Sequence, residues 1–191
     1  MNINLNNHMK LLIIEGLDNV GKDTLINSLL KKYPNSKMVH WGYPEGNTNQ
    51  EKIDYQIMSF EYYMREYEFL KMQNNLDLII WNRSHIGECV YGPLYRESDP
   101  QWIFDLEKEF LADSNDVYLV YLHGDVEFLL KNDDGESFTT DINKKLHEQS
   151  LFNEAINQSQ ITNKLKIKVN DGNNYIDKSG ICSTVTRFIN K

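Results

Sequence analysis

The sequence predicts an α/β sandwich in which a five-stranded, mainly parallel sheet is flanked by helices. Short apolar runs alternate with longer stretches of helical apolar spacing along all 191 residues, the pattern that lays helices over both faces of a parallel sheet. The first apolar run ends in a glycine-containing turn that opens a helix. No repeat or low-complexity linker interrupts the alternation, and the length suits one domain spanning residues 1–191.

Each element has its own warrant. Lys10 to Glu15 (KLLIIE) is a buried-strand run stopped by Gly16, and Asp23 to Lys32 carries apolar residues at helical intervals. Lys37 to Trp41 reads as the second strand. Asn49 to Gln73 reads as a long helix whose aromatics, Tyr55, Phe60, Tyr62, Tyr63, Tyr67 and Phe69, are expected to be mostly core. Leu76 to Trp81 and Val117 to Leu122 are clear buried strands, and Leu165 to Val169 is a weaker one. Helices are read over Pro100 to Ala112, Val126 to Lys131, Asp141 to Gln158 and Asp177 to Ile189. Ligands of such sheets bind at the carboxyl ends of the strands. Chemistry is therefore expected in Gly16 to Thr24, Gly42 to Thr48, Asn82 to Arg96 and from His123 onward.

Composition narrows the partners. With 28 acidic against 20 basic residues and a net charge of −8, binding to polymeric nucleic acid or to an anionic membrane is disfavoured. No apolar run approaches a membrane span, and Met1 to Met9 is polar rather than a signal sequence, so a soluble, cytoplasmic protein is expected. Cys89 and Cys182 lack metal-ligand spacing and read as reduced, half-buried thiols. Of the basic residues only four are arginines: Arg65, Arg83, Arg96 and Arg187.

The strongest signal is Gly16-Leu17-Asp18-Asn19-Val20-Gly21-Lys22-Asp23-Thr24, a phosphate loop between a strand and a helix. Its backbone N–H groups and the helix N-terminus suit the phosphates of ATP, and Lys22 supplies a point charge for the β and γ positions. The pattern asks for a hydroxyl after the lysine as a Mg²⁺ ligand. Asp23 stands there, with Thr24 next. Either Asp23 helps to hold the metal or it acts as a first-turn acid on the helix dipole.

Ile14-Glu15-Gly16-Leu17-Asp18 and the loop after it resemble the E-G-x-D-x-x-G-K opening of thymidylate kinases. The likeness continues at Tyr43-Pro44-Glu45, where that family carries F-P-x-R. It returns at Asn82-Arg83-Ser84, where the family has D-R-Y or D-R-F, and at Tyr91 nine residues on. The resemblance covers about residues 10 to 96. It implies a P-loop NTPase three-layer sandwich, usually a homodimer, moving the γ-phosphoryl of ATP to a pyrimidine deoxynucleoside monophosphate such as dTMP with Mg²⁺. It further implies that Lys22, Asp18 and Arg83 are catalytic. Gly16, Asn19, Val20, Gly21, Lys22, Asp23 and Thr24 would hold ATP, with Thr24 and Asp23 at the metal. Tyr43, Pro44, Phe60, Tyr63, Arg65, Arg83, Tyr91 and Arg96 would face the acceptor.

Four departures stand out. Asn82 replaces the family aspartate, Gly46 and Asn47 stand where the F-P-x-R arginine belongs, and the phosphate loop has no arginine. The lid-like segment near 132–140 has none either, only Lys131, Lys144 and Lys145 around it. His85 and Glu88, three apart, form a candidate hydrogen-bonding pair. Arg83-Ser84 equally fits the E-R-S of deoxynucleoside kinases, though Asn82 is no carboxylate base. A kinase of hydroxymethylated pyrimidine and a catalytically weak nucleotide-binding protein are the other readings.

Overall fold

The computed structural model describes residues 8–112, 114–135 and 137–191. Most of the polar N-terminal stretch, up to residue 7, lies outside the described residues, as does Glu136 of the lid-like segment.

Five strands form one all-parallel sheet: β1 (Lys10–Gly16), β2 (Ser36–His40), β3 (Leu78–Asn82), β4 (Val117–His123) and β5 (Asn163–Lys168), in the order β2-β3-β1-β4-β5. This is the expected sandwich, with strand limits shifted by a few residues at most. The middle strands are buried almost throughout, which is why they read as continuous apolar runs. The helices are α1 (Lys22–Lys32), α2 (Asn49–Gln73), α3 (His85–Arg96), α4 (Trp102–Phe110), α5 (Val126–Lys131), α6 (Ile142–Gln158) and α7 (Lys178–Ile189). Helices α1 and α7 pack on one another, while α3 contacts α2, α4 and α6. Among the described residues no helix is long and apolar enough to cross a membrane.

Helix α3 is not visible in the sequence. It contains Gly87, Gly92 and Pro93, all poor formers in a helix interior, yet it packs against three other helices, and tertiary burial outweighs propensity. Its glycines allow close approach: a Cβ on Gly92 would lie 2.5 Å from Ser98 Oγ and 2.8 Å from Glu88 Oε1. Ser84 caps the helix by accepting from Ile86 N.

Helix α2 starts with a capping box between Thr48 and Glu51. It buries Gln56, Phe60, Met64 and Tyr67. The expectation of a mostly core aromatic set is corrected: only Phe60 and Tyr67 are buried, Tyr63 is half-buried, and Tyr55, Tyr62 and Phe69 are exposed. Met58 and Met72 are exposed as well, so a second face of the helix is left without cover. Cys89 is buried and Cys182 half-buried, both as free thiols.

Candidate functional site

Because β1 and β3 are neighbours, with Ile14 opposite Asn82, their ends bring the phosphate loop beside Asn82-Arg83. Gly16 ends β1 at φ 148°, and a Cβ there would lie 2.2 Å from Leu122 O. Gly16 is required by that close approach to β4 and does not line the cleft, unlike the six other loop residues expected at the nucleotide. Asn19 and Gly21 take positive φ (62° and 80°) and turn the chain into α1. The loop, Asn82, Arg83 and the segment from Val169 to Ile181 enclose a cleft of about 760 Å³. Tyr175 closes its far end, donating its hydroxyl to Asn19 O at 2.9 Å.

Lys22 folds back over this loop. Its Nζ donates to Leu17 O at 2.6 Å and to Gly16 O at 3.0 Å. Burial, and next the positive charge of Arg83, pull its pKa down to about 7. At the opening of α1, Asp23 accepts from Asn82 Nδ2 at 2.7 Å. Asn82 is 3% exposed, and its Oδ1 is buried without a hydrogen-bond partner. Asp23 and Thr24 are exposed and line the cleft. Among the described residues no three His, Cys, Asp or Glu side chains are grouped to hold a metal ion by themselves.

Asp18 is held from two sides. It is ion-paired with Arg83, and Lys145 Nζ lies 2.8 Å from its other oxygen, to which Phe138 N also donates at 3.3 Å. Burial opposes ionisation, but Arg83 and then Lys145 outweigh it and hold the Asp18 carboxyl far below the usual range. Arg83 takes φ 65°, a left-handed backbone uncommon for a side chain of this size and a mark of imposed strain. That turn aims the guanidinium at Asp18 and at Tyr91 Oη, 3.1 Å away. Lys145, on α6, is buried and also pairs with Glu148 at 3.0 Å. The lid-like segment therefore does reach the loop with a cation, carried on the helix behind it, and Asn19 Nδ2 donates to Ser137 Oγ at 3.1 Å.

A second cleft of about 260 Å³ opens on the other side of Arg83. Aromatic side chains dominate its wall: Trp41, Tyr43, Phe60, Tyr91, Tyr95 and Phe138. Trp41 packs on Phe60 at 4.7 Å, and Tyr95 on Phe138 at 4.4 Å. The two clefts meet at Asp18, His40 and Arg83.

Of the residues expected at the acceptor, Tyr43, Pro44, Phe60, Arg83, Tyr91 and Arg96 line this second cleft. Two do not. Tyr63 packs against Trp41 from outside, and Arg65 projects from the opposite face of α2, over the ring of Phe110. Helical phase separates Arg65 from Phe60. Arg96 lines the cleft with its charge spent: it is ion-paired with Glu88, both side chains being almost wholly buried. His85 pairs instead with Glu107 at 3.0 Å, so the expected His85–Glu88 pair does not form. The cleft residues His40, Trp41, Gln56, Tyr95 and Phe138, and Lys145 beside Asp18, carry no motif. Trp41 and Tyr95 had a positional signal: Trp41 as the last residue of the strand read over Lys37 to Trp41, and Tyr95 inside the stretch from Asn82 to Arg96.

No protein-family model matches the chain, and no curated protein matches it in sequence. Solved structures match in fold. The YorR protein of Bacillus subtilis, in complex with phosphorylated GDP, is 15% identical, covers 94% of this chain and 95% of its own, and superposes with a TM-score of 0.68. The thymidylate kinase of Candida albicans, described as broad in substrate specificity, is 15% identical over 96% of this chain and 92% of its own, TM-score 0.66. That of Ehrlichia chaffeensis is 13% identical over 96% and 99%, TM-score 0.62. The chain has the fold of thymidylate kinase-like P-loop proteins.

Proposed function

We propose that this protein is an ATP-dependent nucleotide kinase whose acceptor is a pyrimidine deoxynucleoside monophosphate such as dTMP. One observation carries the reading: a phosphate-loop cleft and an aromatic cleft meet at Asp18, His40 and Arg83. That is the layout an in-line transfer between two bound nucleotides requires.

The donor triphosphate lies on the amides of Asn19 to Thr24, with its base toward Val169, Tyr175 and Ile176. Lys22 leaves the carbonyls of Gly16 and Leu17 for the β and γ phosphates. Arg83 neutralises charge on the transferring group, a role for which its planar fork is suited. Asp18, held by Arg83 and Lys145, fixes both cations at the junction and orients the acceptor. Lys145 serves where the lid arginine is missing. The acceptor base lies among Pro44, Phe60 and Tyr91.

The residues at α1 fit a magnesium ion bound together with phosphate. Asp23 and Thr24 would hold it, and the unpartnered Oδ1 of Asn82 would accept from one of its waters. Bound there, Mg²⁺ neutralises charge on the phosphates.

The expected homodimer has a specific surface. Tyr55, Met58, Tyr62, Arg65, Phe69 and Met72 follow a 3-4-3-4-3 spacing at exposed positions of α2, with Met58 71% and Met72 78% exposed and Arg65 reaching over Phe110 of α4. The spacing is that of a coiled-coil seam. A second copy running antiparallel pairs Tyr55 with Met72, Met58 with Phe69 and Tyr62 with Arg65, so the stripe is complementary to itself. The free thiols of Cys89 and Cys182 suit a cytoplasmic setting.

The test is incubation with ATP, Mg²⁺ and a panel of deoxynucleoside monophosphates and deoxynucleosides, with products resolved by mass. Diphosphates from the pyrimidine monophosphates are expected, lost in Lys22→Ala. Phosphorylation of nucleosides alone would transfer the assignment to a deoxynucleoside kinase. ATP binding with no product would make the chain a nucleotide-binding protein.

A further inference from the structure

The buried face of α2 contains one polar residue. Gln56, 8% exposed, occupies the position one turn before Phe60 and makes no hydrogen bond to any described residue. Its amide atoms are not among the fully buried, unpartnered ones, so they are reached from the cleft and are available to a ligand there. The neighbouring Trp41 is held by Phe60 and by Trp81 at 5.2 Å, its Nε1 fully buried and unpaired. Both residues line the aromatic cleft.

The other polar groups of this wall are committed. Arg96 is paired with Glu88, Ser84 Oγ donates to Glu15, Tyr95 Oη donates to Glu148, and Tyr91 Oη accepts from Arg83. His40 is exposed at the mouth, where the clefts join. What the inner wall offers a ligand is therefore neutral: one amide, able to donate and accept, set among aromatic rings. A flat heterocycle with carbonyl and amide-like groups on its rim matches that chemistry, and a charged group does not.

We propose that Gln56 reads the hydrogen-bonding edge of the acceptor's pyrimidine, which lies among the aromatic rings of the cleft. The proposal rests on the assignment of the aromatic cleft to the acceptor. Its consequence concerns selectivity. Thymine and uracil present a donor and an acceptor at N3 and O4, cytosine the reverse at N3 and N4. A carboxamide meets either edge by turning over about its last torsion. Gln56 thus makes the enzyme tolerant at position 4 of the base, whereas a guanidinium in its place would favour a carbonyl there.

The experiment compares wild type, Gln56→Leu and Gln56→Glu with dTMP, dCMP and the baseless deoxyribose 5-phosphate, by calorimetric binding and by steady-state kinetics. In wild type, dTMP and dCMP are expected to bind within about tenfold of each other. Gln56→Leu should weaken both by about tenfold or more, through KM with kcat little changed, and leave the baseless sugar phosphate unaffected. Gln56→Glu, which can only accept when ionised, meets one donor and one acceptor on either base and should weaken dTMP and dCMP alike by about tenfold or more, again sparing the baseless sugar phosphate. The ligand-free melting temperature of Gln56→Leu should stay close to that of wild type, since no hydrogen bond within the protein is lost; a structural glutamine would give a loss instead. Equal effects of both variants on dTMP, dCMP and the baseless sugar overturn the proposal, as do no effects at all or no binding of any nucleotide by wild type. If the nucleotides bind with the expected base dependence but none is phosphorylated, Gln56 keeps its role and the kinase reading fails.

Discussion

Asn82 donates to Asp23 at 2.7 Å, linking the end of β3 to the first turn of α1 across 59 residues of sequence. The carboxylate that thymidylate kinases carry at the strand end, according to the resemblance, is here replaced by an amide, and a carboxylate stands instead on the helix. Replacing Asn82 with Asp would put two acids within hydrogen-bond reach. Like charges at such a distance cannot both ionise without cost, so Asn82→Asp should melt below wild type at about pH 7 and approach it below ~pH 4, where carboxyls take up protons. Added Mg²⁺ should recover part of the loss at pH 7. A variant equally unstable at both pH values would show that the amide acts through shape alone.

Lys22 makes triphosphate binding depend on pH. In the empty loop its pKa is about 7, and a triphosphate favours the charged form. Binding should therefore take up close to one proton at about pH 8 and almost none at about pH 6, with affinity falling as pH rises through 7. For folding, the unfolded lysine keeps its proton to about pH 10.4, so Lys22 adds stability to the empty protein as pH rises between those values. Calorimetry in buffers of different ionisation enthalpy measures the uptake; no buffer dependence at pH 8 would contradict it.

Lys145 holds two buried acids together. Its partners Asp18 and Glu148 are 14% and 0% exposed at the side chain, and removing one member of such a group typically costs about 3–5 kcal/mol. Lys145→Met should lower stability by that order in urea titrations, and lower kcat by loosening Asp18 and Arg83. Lys145→Met with Glu148→Gln should recover most of the stability but not the turnover. A cost under about 1 kcal/mol, typical of a surface pair, would place Lys145 outside the junction.

Gly16 and Gly42 separate a required glycine from a permissive one. Gly16→Ala places a Cβ 2.2 Å from a backbone carbonyl on a positive-φ residue, and should abolish cooperative unfolding or yield. At Gly42 a Cβ meets nothing within 4 Å, so Gly42→Ala should change the melting temperature little. A folded Gly16→Ala protein would mean that β1 and β4 can part at this end.

The α2 seam makes a prediction in hydrodynamics. Met58→Glu and Phe69→Glu, facing each other across the proposed antiparallel pair, should each shift the protein toward monomer in sedimentation velocity. Substituting Glu for exposed Phe138, remote from α2 in the sequence and borne on the lid, should leave the dimer intact. A wild type that sediments as a monomer at tens of micromolar removes the seam's proposed role.

Local chemistry explains what could be read in advance. The strands appear as apolar runs because both faces of a parallel sheet are covered, and the loop from Gly16 to Thr24 is legible because strand, turn and helix are contiguous. Arg83 follows from its place after β3. Arg65 and Lys145 show the limit. Both are cations on helices, and nothing within a few residues of either reveals that one lies over Phe110 while the other is buried beside Asp18. Helix α3 was hidden for a related reason: its glycines and Pro93 weaken it locally, and only packing against α2, α4 and α6 secures it.

The sequence by itself determined the sheet, the phosphate loop and the edge of the sheet where ligands belong, since those depend on periodicity and on neighbours along the chain. Only the tertiary structure decided which cation answers Asp18, which partner Asp23 receives, and that Gln56 and Trp41 come together in the wall of the aromatic cleft. These relationships join residues 15 to 127 positions apart, and their existence depends on strand order and helix phase, quantities that no local stretch of residues encodes.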